Sequence, residues 1–281
     1  MAGVQLTDTH CHLDSARFDP DREAVIARAR DAGVRRILVP ALDLESSQRI
    51  LTLVEGARGL FAAVGIHPTS PGEVAASHIE TLRTLVASGS VVAIGEIGLD
   101  YYWVHEPSLQ SQQQAALRMQ LDLAAACGLP VVLHMREKDD ADHGACAEDM
   151  LRIVESWVRA LRADGAAIAD RPGVLHSFSG TLETAMAAIE LGFYIGVTGP
   201  ITFPTAAHRR AVISRLPIER LLIETDSPYL APQAHRGRRN EPAFVAHIAD
   251  RIAQIQARPQ AQVAEVTSRN AARLFAWGEP D

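Results

Sequence analysis

The chain has 281 residues, 47% hydrophobic and 22% charged, a balance that fits a folded globular protein and excludes a disordered one. No apolar run approaches the roughly 20 residues needed to span a bilayer, so no membrane partner is expected. The formal net charge of -7 excludes the broadly basic surface with which proteins hold duplex nucleic acid.

Three cysteines (Cys11, Cys127 and Cys146) without C-x-x-C spacing argue against a disulfide framework and suit a reducing compartment. The opening Met-Ala-Gly-Val-Gln-Leu-Thr-Asp carries neither a basic nor an apolar leader region. A cytoplasmic location is expected. Lys138 is the only lysine, in the polar stretch Arg136–Asp142, which disfavours Schiff-base and Walker-lysine chemistry.

Short apolar runs alternate with amphipathic stretches along the chain. The runs read as strands over Val4–Thr9, Arg36–Pro40, Phe61–Ile66, Val91–Gly95, Val131–His134, Gly173–His176, Tyr194–Val197 and Leu221–Glu224. Helices are predicted over Arg22–Ala32, Leu44–Ala57, Val74–Ala87, Leu109–Cys127, Cys146–Ala163, Thr181–Leu191 and Thr205–Leu216. Two more follow the last strand, over Pro242–Gln256 and Gln260–Phe275.

Runs such as Val-Val-Ala-Ile are apolar on both faces, as in a buried parallel sheet. Eight such units over ~250 residues predict one (β/α)8 TIM barrel filling residues 1–281. The rival, an open doubly wound sheet, lacks its usual G-x-G-x-x-G after any strand.

The most informative local feature is His10-Cys11-His12, preceded by Asp8, at the exit of the first strand. Side chains two apart on a strand point the same way, so the two imidazoles share a face and make half of a divalent metal site. Alone, H-x-H is weak evidence, and two histidines in a wet loop explain it equally well.

Further ligand types decide the matter. Glu96 directly follows the fourth run, His134 ends the fifth, His176 ends the sixth and Asp226 follows the eighth. In a barrel all these strand ends open on one face, where barrel active sites lie. Each alone reads as a capped or core residue, but that explanation must hold independently at every position.

Four imidazoles and two carboxylates exceed one tetrahedral site. They fit two divalent cations (zinc, manganese or magnesium) ~3.5–4 Å apart with a bridging carboxylate. Such a pair lowers the pKa of bound water and polarises a carbonyl or phosphoryl oxygen.

A second group concerns the substrate. His67 ends the third run and either orients substrate or is a hydrogen-bonded structural histidine. Arg136, two past His134, suits a forked grip on phosphate, and a salt bridge to nearby carboxylates is its bland alternative. Ser179 opens the sixth helix, where backbone N–H groups can hold an anion, although a plain N-cap by Ser179 or Thr181 explains the same residues. Glu224 is placed to anchor the site from below or to hydrogen-bond a ligand histidine. Arg236, Arg238 and Arg239 form the densest basic patch, at the same mouth as Asp226. A solvated loop is the alternative there.

The stretches Asp8–Asp14, Gly65–Pro68, Ile94–Tyr102, Leu133–Arg136, Leu175–Gly180, Glu224–Pro232 and Arg236–Pro242 together resemble the TatD family of metal-dependent hydrolases, within the wider amidohydrolase class. They occur in order over nearly the whole chain. The resemblance implies a barrel of the metallo-dependent hydrolase type and a deoxyribonuclease, often a 3′–5′ exonuclease. It further implies one ion on His10, His12, Glu96 and Asp226 and another on Glu96, His134 and His176. Glu96 would bridge, where some relatives use a carboxylated lysine, and the poorly placed Lys138 agrees. The chain departs from the family pattern at Ile97 (usually Thr), at Pro204 (commonly Lys) and in a longer acidic loop after Arg136.

The expectation is therefore a hydrolase of DNA phosphodiesters acting by attack of a metal-bound hydroxide, with Asp226 handling the proton. Single strands or chain ends are the expected partner, because a barrel mouth reaches a phosphate inside intact duplex poorly. No obligate protein partner is evident. An amide or ester hydrolase, such as an aminoacyl-tRNA deacylase, uses the same metals, and a non-catalytic metal-binding adaptor is the reading from another class.

Overall fold

The computed structural model describes residues 5–70, 72–87 and 89–277. Its strands are β1 (Leu6–Asp8), β2 (Val34–Pro40), β3 (Leu60–Val64), β4 (Val91–Asp100), β5 (Val131–Arg136), β6 (Gly173–Leu175), β7 (Tyr194–Val197) and β8 (Leu221–Ile223). The helices between them are α1 (Arg22–Asp31), α2 (Leu44–Val54), α3 (Ala76–Val86), α4 (Pro107–Cys127), α5 (Ala145–Ala163), α6 (Leu182–Glu190) and α7 (Ala207–Arg215). After β8 come α8 (Val245–Ile255) and α9 (Gln260–Phe275). Val4, the first residue of the expected first strand, lies outside the described residues. No helix among the described residues is long and apolar enough to cross a membrane.

The strands pair in parallel in sequence order, β1 to β8. Backbone bonds then link the first and last: Thr9 N–H donates to Ile223 O at 3.1 Å, and His12 N–H to Ser227 O at 2.8 Å. The (β/α)8 expectation is met.

Alternation along each strand builds two shells. Ile37, Val39, Ile94, Val131 and Leu133 face the helices in the larger core. Leu38, Ala63, Ala93, Val132, Val174, Tyr194 and Leu222 form a second cluster with Leu274 and Phe275 of α9, which closes the barrel at the end away from the strand exits. Period two then places His134 above Val132, His176 above Val174 and Glu224 above Leu222. An apolar floor thus lies directly beneath a polar mouth.

Helix starts are fixed locally. Asp43 caps α2, accepting from Ser46 N at 2.7 Å while Ser46 Oγ accepts from Asp43 N at 2.8 Å. Thr181, not Ser179, caps α6 by accepting from Thr184 N at 3.2 Å.

Candidate metal centre

β1 stops at Asp8, one residue before the expected Thr9, and His10, Cys11 and His12 lie in its exit segment. The exit segment is nonetheless held extended between its neighbours. Cys11 N–H donates to Leu38 O at 3.0 Å and Asp226 N–H to His10 O at 2.8 Å, and Cys11 bridges to Ser227. Held this way, the two imidazoles converge, with His10 Nε2 and His12 Nε2 3.3 Å apart.

Glu96 also departs from expectation, lying inside β4 rather than after it. Between Ile94↔Val131 and Ile97↔Leu133, β4 carries one more residue than β5. A bulge of this kind re-aims a side chain, which here brings the Glu96 carboxylate over the mouth. Close approach of the strands makes Gly98 obligatory: at φ 149°, a Cβ there would sit 2.0 Å from His134 O.

Glu96 turns one oxygen to each side. Its Oε2 lies 3.2 Å from His10 Nε2 and 3.7 Å from His12 Nε2. Its Oε1 lies 2.8 Å from His134 Nδ1, 3.5 Å from His67 Nε2 and 3.9 Å from His176 Nε2. Asp226 Oδ1 completes the first side, 3.5 Å from His12 Nε2 and 3.8 Å from His10 Nε2, and reaches His176 Nε2 at 3.9 Å.

The donor set fits a divalent cation. Ligands at ~2.0–2.1 Å around a tetrahedral ion stand about 3.3–3.4 Å apart, and the five separations that His10 and His12 make with each other, Glu96 Oε2 and Asp226 Oδ1 span 3.2 to 3.8 Å. His10, His12 and Glu96 would hold one ion with Asp226, and His67 and His134 also group with Glu96 on its other oxygen. A bound pair would supply Lewis acidity and acidified water at that point.

His176 and His134 are each oriented from behind by a carboxylate. His176 Nδ1 lies 2.9 Å from Glu224 Oε1, and Glu224 also accepts from Ser177 N at 2.6 Å and Thr9 Oγ1 at 3.1 Å. Gly196 makes room for this carboxylate, since a Cβ there would fall 2.2 Å from Glu224 Oε1. His134 Nε2 lies 3.0 Å from Asp100 Oδ2, and Asp8 accepts from His10 N, Thr225 N and Thr225 Oγ1. The carboxylates of Glu224 and Asp100 fix the ring orientation and tautomer of His176 and His134, whereas Asp8 holds only the His10 backbone.

Electrostatics follow from burial among opposite charges. Burial raises the Glu96 carboxyl, but His10, His67 and His176 outweigh it and hold it well below the usual range. Burial likewise opposes ionisation of Asp226, and His12, His176 and His10 hold it below its ordinary value. His10 and His67 are pushed down by burial and by neighbouring imidazoles, which favours their neutral, metal-binding form.

His67 sits nearer the centre than an outer substrate contact, with its ring edge-on to His134 at 4.4 Å and its Nδ1 2.8 Å from Thr69 Oγ1. Arg136 is engaged by Asp140 at 2.8 Å and lies 3.7 Å over the Tyr102 ring. That is the salt bridge its alternative reading described. Ser179 is half-buried beside the β6 exit. Arg236 is exposed over Phe203 at 5.2 Å, and Arg238 is exposed. Arg239 is forked onto Asp21 at 2.7 and 2.8 Å and covers Phe18 at 4.7 Å, so it ties its loop to the start of α1. Lys138 is exposed, as expected of a solvated loop.

The sequence reading gave no role to Asp100, Tyr102 or Trp103. The signal available was their position directly after Glu96 in Gly-Leu-Asp-Tyr-Tyr-Trp, hidden because β4 seemed to end at Gly95.

The model of the TatD-related DNase family matches residues 7–276. The chain belongs to that family. It is 36% identical to the metal-dependent hydrolase YabD of Bacillus subtilis over 270 residues, covering 96% of this chain and 98% of the relative. It is also 36% identical over 278 residues to a Pantoea ananatis protein named 3'-5' ssDNA/RNA exonuclease TatD, covering 95% and 98%. The crystal structure of YjjV, a TatD homologue from Escherichia coli, superposes with a TM-score of 0.85 at 33% identity, over 98% of this chain and 99% of that one. As a member of the TatD-related DNase family, the protein is a hydrolytic enzyme acting on ester bonds.

Proposed function

We propose that this TatD-family member hydrolyses phosphodiesters of single-stranded nucleic acid, DNA above all, from chain ends in the 3′ to 5′ direction, with two divalent cations sharing Glu96. One observation carries this reading: Glu96 offers Oε2 to His10 and His12 and Oε1 to His134. Such cations, when bound, polarise a phosphoryl oxygen and acidify water.

The chain's own groups do the rest. Asp226 keeps 15% of its side chain exposed against 3% for Glu96, so it is the centre's carboxylate most open to the mouth. Its carboxylate takes the proton of the attacking water at Oδ2, the oxygen not turned to the imidazoles, since its surroundings keep it ionised beforehand. His67, beside the Oε1 cluster, orients the phosphate. Arg236 and Arg238 steer the strand, whereas Arg136 and Arg239 act first on Asp140 and Asp21. Buried, unpaired Cys11 and Cys146 support residence in the reducing cytoplasm.

The test incubates metal-loaded protein with end-labelled single-stranded DNA, single-stranded RNA, blunt duplex, amides and aminoacyl esters. Shortening of single-stranded DNA from its 3′ end, faster than duplex, is the expected result. Turnover confined to amides or aminoacyl esters would overturn the reading.

A further inference from the structure

Beside the metal centre lies a cavity of about 390 Å³ lined by His67, Thr69, Val74, Trp103, Leu109 and Gln112, among others. His67 forms part of its wall while its Nε2 stands 3.5 Å from Glu96 Oε1, so the cavity and the centre share this residue. Two large apolar side chains on its lining face water: Trp103 is 66% exposed and Leu109 45%. An isolated exposed apolar residue is ordinary, but a fixed indole at the lip of an active-site cavity is not.

The backbone that carries the indole is held beside the candidate centre. The Trp103 backbone N–H donates to Asp100 Oδ1 at 2.8 Å, and the other Asp100 oxygen lies 3.0 Å from His134 Nε2. Its ring stands at 86° to Tyr102, 4.8 Å between centroids. Arg136 packs on Tyr102 at 3.7 Å and is itself held by Asp140, which keeps that ring from turning. The Trp103 backbone is thus linked to His134 through Asp100.

The buried amides of Gln113 and Gln120 are spent on backbone groups, Asp100 N at 3.0 Å and Ile66 N at 2.7 Å. The exposed indole offers a planar, weakly hydrated ligand its face.

We propose that Trp103 is a stacking platform for the terminal nucleobase, the one next to the scissile phosphodiester, with the cavity receiving that base. This inference rests on the phosphodiesterase reading above and deepens it. Base stacking on an aromatic face tolerates sequence because every base has a π-face.

The experiment compares wild type, Trp103→Phe and Trp103→Ser on a single-stranded oligonucleotide with a normal terminal nucleotide and on the same strand with an abasic one. Trp103→Ser is expected to raise KM on the normal strand about tenfold or more with little change in kcat. Trp103→Phe should lie between. Deleting the base should cost the wild type a similar factor, and the two effects should not add. In parallel, tryptophan fluorescence of metal-free wild type should be quenched by the oligonucleotide and much less so in Trp103→Phe. Unchanged KM in Trp103→Ser, or an equal rise in KM on both strands, would overturn the platform. A wild type that cleaves no nucleic acid overturns the functional reading instead; the platform then stands or falls on the quenching alone.

Discussion

Asp226 and His10 meet twice: the backbone N–H of Asp226 donates to His10 O at 2.8 Å, and their side chains face each other at 3.8 Å across the candidate metal centre. The bond that joins the exits of β8 and β1 is thus made by two of the converging ligands. Asp226 adopts φ 55°, a left-handed conformation costly for a residue with a Cβ. Barrel closure and ligand placement are one structural event here, and changes that loosen either should be felt at the other.

Replacing the shared carboxylate should be the most damaging single change. Glu96→Gln is expected to lower turnover by orders of magnitude and to weaken metal retention, with the far-UV circular dichroism spectrum unchanged. Elemental analysis after dialysis checks the second effect. Wild-type turnover at saturating metal would sink the bridging role.

Glu224 acts through His176 and not on substrate. Glu224→Gln should reduce metal affinity about 10–100-fold, by calorimetry, because His176 loses its charged partner. Gly196→Ala forces a Cβ to within 2.2 Å of the same carboxylate, so it should weaken metal binding too and destabilise by about 1–3 kcal/mol. Intact affinity in both variants would show that His176 orients itself.

Metal loading should expel protons. In the metal-free protein burial pushes His134 down, but Asp100 and Glu96 overcome it and lift it to about 9. Burial is likewise overcome at His176, where Glu224 and Glu96 raise the imidazole to about 10. Both are therefore protonated at neutral pH, and a cation competes with those protons. Apparent affinity should climb with pH and level off near 10, and calorimetry in buffers of different ionisation enthalpy should report proton release at pH 7.5. Because both pKa values lie above the unfolded value of about 6.5, their contribution to metal-free stability is fully present below that pH. It is lost as pH rises through 9 to 10. Buffer-independent heats would contradict the protonated starting state.

The basic loop should divide in two. Arg236→Ala and Arg238→Ala are expected to raise KM for DNA and to flatten its salt dependence, by about 0.7 in log–log slope for each phosphate the loop no longer neutralises. Hydrolysis of bis(p-nitrophenyl) phosphate should survive in both. Arg239→Ala should instead lower the melting temperature, since it releases the loop from Asp21 and Phe18. Equal decreases on DNA and the small ester would assign the whole patch a structural role.

Sequence by itself determined the alternation of strands and helices, and with it the barrel, because the hydrophobic period that separates the two is a local property. It also named His10, His12, His134, His176, Glu96 and Asp226, since ligand types recurring at strand exits are visible without coordinates. Only the tertiary structure decided the distances at which they meet. The bulge that carries Glu96 over the mouth is a mismatch between β4 and β5, and no single strand's pattern records a register. The place of His67 beside Glu96, the capture of Arg239 by Asp21 and the indole of Trp103 at the cavity lip are all pairings between loops. Such pairings depend on where the closed barrel sets each loop against its neighbour, and that geometry exists only once the chain has folded.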